Sequence, residues 1–191
     1  MEDIIKEMEK YAEENSVPIM QKRGIKFLCE FIKKNDIHKI LEIGTAIGYS
    51  AIRMALTDEK VTVVSIERDQ DRYIEAVRNI KKCKLEDRIT LILGDALNID
   101  LKDKYDMIFI DAAKGQYTNF FNHYEKNLLD DGIIISDNMD FHGLVNEIDT
   151  IGKLCSHTRK ELRNLDFVQS DIQSIVIKLQ LKGLDIKENE Y

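Results

Sequence analysis

Five short apolar runs of this chain end in acidic or amide side chains, the residue types best placed to do chemistry. The runs are KILEIG (39–44), VTVVSIE (61–67), ITLILGD (89–95), YDMIFID (105–111) and GIIISDN (132–138). Their polar residues are Glu42, Glu67, Asp95, Asp111 and the pair Asp137–Asn138. A single residue of this kind is most often a turn or a helix cap. Recurrence at the same place in every run instead predicts a ligand site, with an acidic surround that favours a cationic ligand.

The loop after the first run reads LEIGTAIGYSA and carries two glycines. Gly44 permits a tight turn and close approach of a ligand to the backbone, and Gly48 lets the next helix begin nearby. A dinucleotide fingerprint would also need glycine at positions 46 and 49, which here are Ala46 and Tyr49. This departure counts against a nicotinamide-dependent dehydrogenase.

Glu67 ends the second apolar run, 23 residues after Gly44. An acid at that distance can accept hydrogen bonds from the hydroxyls of a ribose. A ligand with a ribose, no phosphate and a positive charge describes S-adenosylmethionine, whose sulfonium suits a pocket lined by Glu42 and the other acidic strand ends.

The apolar runs alternate with segments of helical periodicity, which predicts an α/β fold. Runs rich in Ile and Val suit parallel strands covered on both faces, and the helical segments cover roughly 47–57, 69–83, 117–129 and 142–158. Such alternation implies a doubly wound, Rossmann-like sheet with ligands beyond the carboxyl ends of its strands. Two further runs, 165–171 and 174–181, predict an antiparallel edge hairpin and a seven-stranded, mostly parallel sheet. Helices are also expected at about 3–14 and 19–34, the second capped by Ser16 with Pro18 just inside.

Composition limits the class of protein. A chain of 191 residues with 43% hydrophobic residues predicts one domain, with N-terminal helices in 1–36 and the sheet core in 37–191. No apolar run is long enough for a membrane span, and the charged N-terminal stretch lacks the features of a secretory signal. Three widely spaced cysteines form no disulfide framework, so we expect a cytoplasmic protein. The 28 basic and 35 acidic residues give a net charge of −7, which argues against indiscriminate binding of nucleic acid.

The chain resembles the small class I O-methyltransferases related to catechol and caffeoyl-CoA O-methyltransferases. The motifs that carry the resemblance are LEIGTAIGYSA (41–51), VVSIERD (63–69), GDA (94–96), DMIFIDAAKGQY (106–117) and IIISDN (133–138). The resemblance implies that the loop of Gly44, Thr45 and Gly48 binds the methionine part of S-adenosylmethionine together with Ser50. It further implies that Glu67 holds the ribose, that Asp95 and Ala96 flank the adenine, and that Asp111 touches both cofactor and metal.

Asp111, Asp137 and Asn138 offer hard oxygen ligands from two strand ends, which suits Mg²⁺ or a similar divalent ion. The matching positions of the family bind the metal, although a turn after a buried strand is the ordinary alternative for Asp137–Asn138. The metal would chelate two neighbouring acceptor oxygens and favour deprotonation of the attacking hydroxyl. Lys114 resembles the family's lysine that takes or steers this proton; otherwise it is a surface lysine.

The acceptor is less determined than the reaction. Chelation needs vicinal oxygens, which a catechol and a 5-hydroxyuridine both supply. The segment SVPIM (16–20) with the glycine loop looks closest to bacterial tRNA 5-hydroxyuridine methyltransferases, and by that likeness Met20 approaches the cofactor. We therefore expect methylation of the wobble hydroxyuridine in the tRNA anticodon loop, with a small catechol-like acceptor as the alternative.

Two basic segments bear on the tRNA hypothesis. Residues 17–34 have a local charge of +4 and residues 151–163 a charge of +3, and either could contact phosphates or be a solvated helix face. Two further alternatives are a cofactor-binding module without catalysis and the dehydrogenase disfavoured above. The family tends toward homodimers, so a homodimer is expected.

Overall fold

The computed structural model of the chain describes residues 1–112, 116–137 and 174–178. Its helices are α1 (Glu2–Glu14), α2 (Lys22–Lys34), α3 (Tyr49–Ala55), α4 (Gln70–Lys82) and α5 (Tyr117–Tyr124). Short 3-10 turns span Ala96–Asn98 and Glu125–Asn127. The strands are β1 (Lys39–Ile43), β2 (Thr62–Glu67), β3 (Ile89–Leu93), β4 (Tyr105–Ile110), β5 (Leu128–Asp137) and β6 (Ser174–Lys178).

These strands form one sheet in the order β3-β2-β1-β4-β5-β6. The first five run parallel and β6 pairs antiparallel with β5. The predicted α/β fold with a parallel sheet and N-terminal helices is thereby confirmed. The expected strand at 165–171 and the expected helix at 142–158 lie outside the described residues, so the seven-stranded count stays a prediction.

The strand order reverses between β1 and β4, and this is the point where an open α/β sheet binds its ligand. Strand residues alternate between two apolar layers, as the period-2 geometry of a strand requires. Ile40, Met107 and Ile135 pack on the side of α1 to α4. Leu41 and Ile108 pack on the opposite side with α5. The sheet is therefore covered on both faces, and its polar residues gather at the strand ends.

The predicted start of α2 is wrong. Ser16 does not cap α2; it ends α1 in a left-handed conformation with φ of 52°. The Val17 amide donates to the Ala12 carbonyl at 2.9 Å, the hydrogen bond that closes a helix C-terminus in a Schellman turn. The chain then runs extended past Pro18, and α2 begins at Lys22 after Gln21.

The predicted helix at 117–129 is too long at its C-terminal end. Helix α5 ends at Tyr124, and β5 already begins at Leu128. Leu128 is fully buried and pairs with Tyr105 of β4, ahead of an irregularity in the register. Pairing with the sheet therefore overrides the helical periodicity of this stretch. Among the described helices, none has the length and apolar character that a membrane crossing needs.

Candidate active site

The loop between β1 and α3 lies directly against the end of β4. Gly44 has a φ of 100°, and a Cβ atom there would lie 2.1 Å from the backbone oxygen of Asp111. The Asp111 amide in turn donates to the Ile43 carbonyl at 2.9 Å. Gly48 also has a left-handed φ, 84°, and a Cβ there would press on Ala76 of α4. Both glycines are thus required by close approach as well as by backbone conformation.

Glu67 connects this loop to the loop after β2. One of its carboxylate oxygens accepts the Ala46 amide at 2.7 Å, and the other accepts the Asp69 amide at 2.8 Å. The side chain is buried, with 6% of the residue exposed. Each oxygen retains lone-pair capacity for one more donor. Glu67 is therefore a buried acceptor at the carboxyl edge of the sheet, and it hydrogen-bonds to both loops.

Glu42 lies in β1, next to the strand that ends at Glu67, and it is completely buried. Its carboxylate accepts hydrogen bonds from side-chain hydroxyls. Ser50 donates to one carboxylate oxygen at 2.5 Å, and Ser65 donates to the other. Thr45 contacts Ser65 at 2.6 Å, so with Glu42 ionised Thr45 must be the donor, because Ser65 has one proton to give. Burial raises the pKa of Glu42 to about 7; the bonds from Ser50 and Ser65 oppose this rise, and the charges of Asp111 and Glu67 add to it. The site thus contains a carboxyl that changes charge near neutral pH.

Sequence reasoning did not identify Ser65, although a signal was present. It is the one polar residue between the apolar positions of VVSI in β2. A polar side chain buried inside a parallel strand needs a partner, and the register pairs Ser65 with Glu42. The four residues Glu42, Thr45, Ser50 and Ser65 therefore form one hydrogen-bonded cluster.

The segment after β3 holds the two residues expected at the adenine. Asp95 is exposed, and its side chain accepts the Leu97 amide at 3.0 Å, which caps the 3-10 turn. Ala96 is buried beneath it. The hydroxyl of Tyr124, another residue that the sequence analysis did not single out, lies 2.6 Å from the Ala96 carbonyl oxygen.

Met20 lies in the wall of an open cleft of about 560 Å³ between α1 and the chain that leads to α2. Tyr49, the first residue of α3, reaches into the same region and donates to Glu9 of α1 at 2.9 Å. Lys22 contacts the other oxygen of Glu9 at 2.6 Å. Burial alone would raise the pKa of Glu9, but the bonds from Lys22 and Tyr49 outweigh it and hold that pKa below its usual value. The N-terminal helices are therefore fastened to the start of α3.

The expected metal ligands follow adjacent strands. The register pairs Ile110 of β4 with Ser136 of β5, so Asp111 and Asp137 come next at the same level of the sheet. Asn138, Lys114 and the side chain of Asp137 lie outside the described residues. Within the described part of the chain, no three His, Cys, Asp or Glu side chains are grouped closely enough to hold a metal ion. The metal site therefore stays a prediction.

Comparison with known proteins gives concordant results. The family model described as O-methyltransferase matches residues 1–174. A caffeoyl-CoA O-methyltransferase of Populus kitakamiensis is 32% identical over 138 residues, which are 68% of this chain and 57% of that protein. A catechol O-methyltransferase of Niastella koreensis is 32% identical over 127 residues, covering 63% and 58% of the two chains. The matches thus span less than two thirds of the length of these curated relatives.

Two solved structures share the fold. One, from Staphylococcus aureus, has the provisional name caffeoyl-CoA O-methyltransferase; it superposes with a TM-score of 0.71 at 31% identity, covering 91% of each chain. The other is an O-methyltransferase from Bacillus cereus in complex with S-adenosylhomocysteine, with a TM-score of 0.66 at 28% identity, covering 72% of this chain and 66% of that one.

Proposed function

Because this chain belongs to the O-methyltransferase family, we propose that it transfers the methyl group of S-adenosylmethionine to a hydroxyl oxygen of a small acceptor with vicinal oxygens. The observation that carries the proposal is the pair of buried acids, Glu42 and Glu67, on either side of the Gly44 loop where the strand order reverses. The product S-adenosylhomocysteine occupies the related Bacillus cereus enzyme, which supports the choice of cofactor.

Each part of the cofactor has a matching group in this chain. Glu67 keeps acceptor capacity for the ribose hydroxyls after binding the amides of Ala46 and Asp69. The Gly44 loop presents backbone to the methionine part, and the Glu42 cluster lies directly behind it. The turn of Asp95 and Ala96 forms the wall for the adenine. The acidic side chains therefore support a cationic nucleoside as the ligand, whereas no glycine pattern for a pyrophosphate is present in the loop.

Asp111, Asp137 and Asn138 would hold a divalent metal, since carboxylate and amide oxygens are the donors that Mg²⁺ prefers. When bound, such an ion supplies the positive charge that lowers the pKa of a coordinated hydroxyl. Lys114 is the residue of this chain proposed to receive the acceptor proton at its Nζ atom. Asp111 also borders the Gly44 loop, so this residue links the acceptor side of the site to the cofactor side.

The names of the relatives favour a catechol-like acceptor, and one observation favours tRNA as a second candidate. Four lysines of α2, which lie in the basic segment 17–34, are exposed: Lys22, Lys26, Lys33 and Lys34. They form a basic helix surface of the kind that contacts phosphates. Two of these lysines also make ion pairs, Lys22 with Glu9 at 2.6 Å and Lys26 with Glu30 at 3.9 Å, so the basic surface supports tRNA only as the second candidate.

The test is methyl transfer from radiolabelled S-adenosylmethionine to matched acceptors. We expect transfer to 3,4-dihydroxybenzoate, no transfer to its 3,5-isomer, and loss of transfer with a chelator, because only the first isomer has vicinal oxygens. Transfer to tRNA that contains 5-hydroxyuridine, but not to tRNA that lacks it, would instead establish the second candidate.

Variants complete this test. Asp111→Asn should abolish transfer, whereas Asp130→Asn, which changes an exposed carboxylate of β5, should leave it intact. Absence of transfer to every acceptor, despite binding of S-adenosylmethionine, would contradict the proposed activity and favour a binding module.

A further inference from the structure

Tyr124 connects α5 to the turn after β3 through a buried hydrogen bond. Its hydroxyl lies 2.6 Å from the Ala96 carbonyl oxygen and 3.0 Å from the Ile99 carbonyl oxygen. The residue is fully buried. Burial, followed by the charges of Asp100 and Asp95, raises the pKa of Tyr124, so the hydroxyl keeps its proton and acts as a donor.

A hydroxyl has one proton, and the two carbonyls are not equal competitors for it. The Ile99 carbonyl has a second candidate donor, the His123 ring nitrogen Nε2 at 3.0 Å. Apart from Tyr124, the described residues give the Ala96 carbonyl only the long bond from the Ile99 amide, at 3.3 Å within the turn. The shorter distance and the lack of an equivalent partner both assign the Tyr124 proton to Ala96.

The turn itself needs this support. The Gly94 amide donates to the Glu67 carbonyl at 2.8 Å, and Asp95 caps the following 3-10 turn, so the start of the segment is fixed. On the far side, the Ala96 carbonyl accepts the Tyr124 hydroxyl at 2.6 Å and the Ile99 amide at 3.3 Å, so Tyr124 supplies the shorter of its two hydrogen bonds. A buried carbonyl that loses its donor must move or bear the cost of desolvation.

We infer that Tyr124 is a positioning residue, which holds the Asp95–Ala96 turn in the shape that receives the adenine of the cofactor. The inference rests on the proposed function, which places the adenine at that turn. It adds a link between the two sides of the site, because α5 begins at Tyr117, only a few residues after Asp111 in the chain. A residue that never touches the ligand would thus set the affinity for it.

Asn127 provides a matched control on the same side of the sheet. Its side-chain amide donates to the carbonyls of Leu101 and Asp103 at 2.9 and 2.8 Å, farther along the chain from the adenine turn. Asn127→Ala removes two partly buried hydrogen bonds of a buried side chain, so it should destabilise the protein at least as much as Tyr124→Phe. It leaves the bond to Ala96 in place.

The experiment measures binding of S-adenosylhomocysteine and of 5′-methylthioadenosine by calorimetry, together with steady-state kinetics and thermal unfolding. For Tyr124→Phe we expect affinity for both ligands to fall about tenfold, as loss of one buried hydrogen bond implies. The KM for S-adenosylmethionine should rise by a similar factor while kcat at saturation stays close to wild type. Asn127→Ala should lower the melting temperature but change both affinities by less than about twofold.

Several results would overturn the inference. Unchanged affinity of Tyr124→Phe would do so, as would an equal loss in Asn127→Ala, since the effect would then be general loosening. Loss of S-adenosylhomocysteine binding without loss of 5′-methylthioadenosine binding would place the effect away from the adenine. Wild-type protein that binds neither ligand would overturn the proposed cofactor and this inference together, whereas binding without methyl transfer contradicts only the proposed activity.

Discussion

The region at the end of β1 and the region at the end of β2 each contain a buried carboxyl, but different donors hold the two. Glu67 accepts backbone amides from Ala46 and Asp69. Glu42 accepts side-chain hydroxyls from Ser50 and Ser65. A backbone N–H points in a fixed direction and can only donate, whereas a hydroxyl rotates and can also accept.

This difference gives the two carboxyls different tasks. Glu67 must present an acceptor at both oxygens, because neither amide can turn away, and so it determines the shape of both loops. Glu42 can lose its charge and keep its partners, because each serine hydroxyl can reverse its role. Burial raises the pKa of Glu42 to about 7, so this reversal falls within the physiological range. The carboxylate at the end of β2 therefore fixes the geometry of two loops, whereas the carboxyl in β1 can change its charge without losing its partners.

Gly44→Ala should have the largest effect, because it disturbs the hydrogen bonds of both regions at once. The new Cβ would collide with the Asp111 backbone oxygen at 2.1 Å, and backbone cannot rotate aside as a side chain can. Moving the loop would pull Ala46 from Glu67 and Thr45 from Ser65. We expect a loss of stability on the order of 3 kcal/mol or more and loss of S-adenosylhomocysteine binding, measured by urea unfolding and calorimetry.

Gly24→Ala is the matched control for that substitution. The three atoms nearest to its Cβ would all belong to the Met20 side chain, the first at an ordinary 3.5 Å, inside helix α2. Alanine should raise stability there by about 0.5 to 1 kcal/mol. A Gly44→Ala protein as stable as wild type would mean that the loop is not held against β4 in solution.

The pH dependence of stability isolates the β1 region. The pKa of Glu42 rises from 4.5 to about 7 on folding, so between these values the folded protein holds a proton that the unfolded chain releases. The contribution of Glu42 is therefore fully present below pH 4.5 and is lost as the pH rises through 7. Glu42→Gln stays neutral throughout, so its stability relative to wild type should increase over this window by an amount on the order of 3 kcal/mol.

The measurement is urea unfolding of both proteins at half-unit steps of pH. Taking the difference between them cancels the other carboxylates, including Glu9, whose pKa is lowered. A difference that stays flat from pH 4.5 to 8 would show that Glu42 ionises normally in the folded state.

Glu67→Gln tests the fixed donors of the β2 region. Glutamine keeps one acceptor oxygen but turns an NH₂ group toward either the Ala46 or the Asp69 amide, and two donors then face each other. Leaving one of these partly buried amides unsatisfied should cost about 2 kcal/mol at pH 7, measured by urea unfolding. Glu42→Gln at the same pH should cost nothing in hydrogen bonds, since its serine hydroxyls can turn to accept, and it should stabilise the protein because it removes the buried charge. Equal costs at the two positions would refute the distinction between the regions.

The sequence predicted the acids of both regions because strand ends are visible in it. Glu67 closes an Ile- and Val-rich run and Glu42 lies next to the last residue of β1, and parallel strands bring such ends to one edge. The residues that hydrogen-bond to these acids and to the turn after β3 are harder to identify from the sequence. Ser65 lies 23 positions from Glu42, and only the strand register brings them together. Tyr124 lies 28 positions from Ala96 and looks like any core aromatic residue in the sequence.

The predicted boundaries of two helices were wrong because other structure competes for the same residues. Ser16 has the residue type and spacing of a helix cap, but a left-handed turn that ends α1 uses that position first. Leu128 fits the periodicity of the preceding helix, yet its pairing with Tyr105 draws it into the sheet. Local pattern therefore predicts which elements exist, while competing turns and tertiary contacts decide where the helices begin and end.

Ser65→Ala should have the smallest effect on stability, and it tests whether the hydroxyl donors of the β1 region favour the ionised form of Glu42. The Ser65 hydroxyl donates to Glu42 and lies 2.6 Å from Thr45. Its hydrogen bond favours the ionised carboxylate, so its removal should raise the pKa of Glu42 further. The stability cost should be about 1 kcal/mol at pH 8 and smaller at pH 5, where neutral Glu42 no longer needs two donors.

Thr45→Val separates this effect from simple loss of a hydroxyl. Valine keeps the branched shape and removes the bond to Ser65 but not the bond from Ser65 to Glu42, so its cost should be the same at pH 5 and pH 8. A cost of Ser65→Ala that is likewise independent of pH would mean that the Ser65 hydroxyl donates its hydrogen bond to Thr45 rather than to Glu42. Glu42 would then rely on Ser50 alone for its charge, and Ser50→Ala would become the substitution that moves the pH profile.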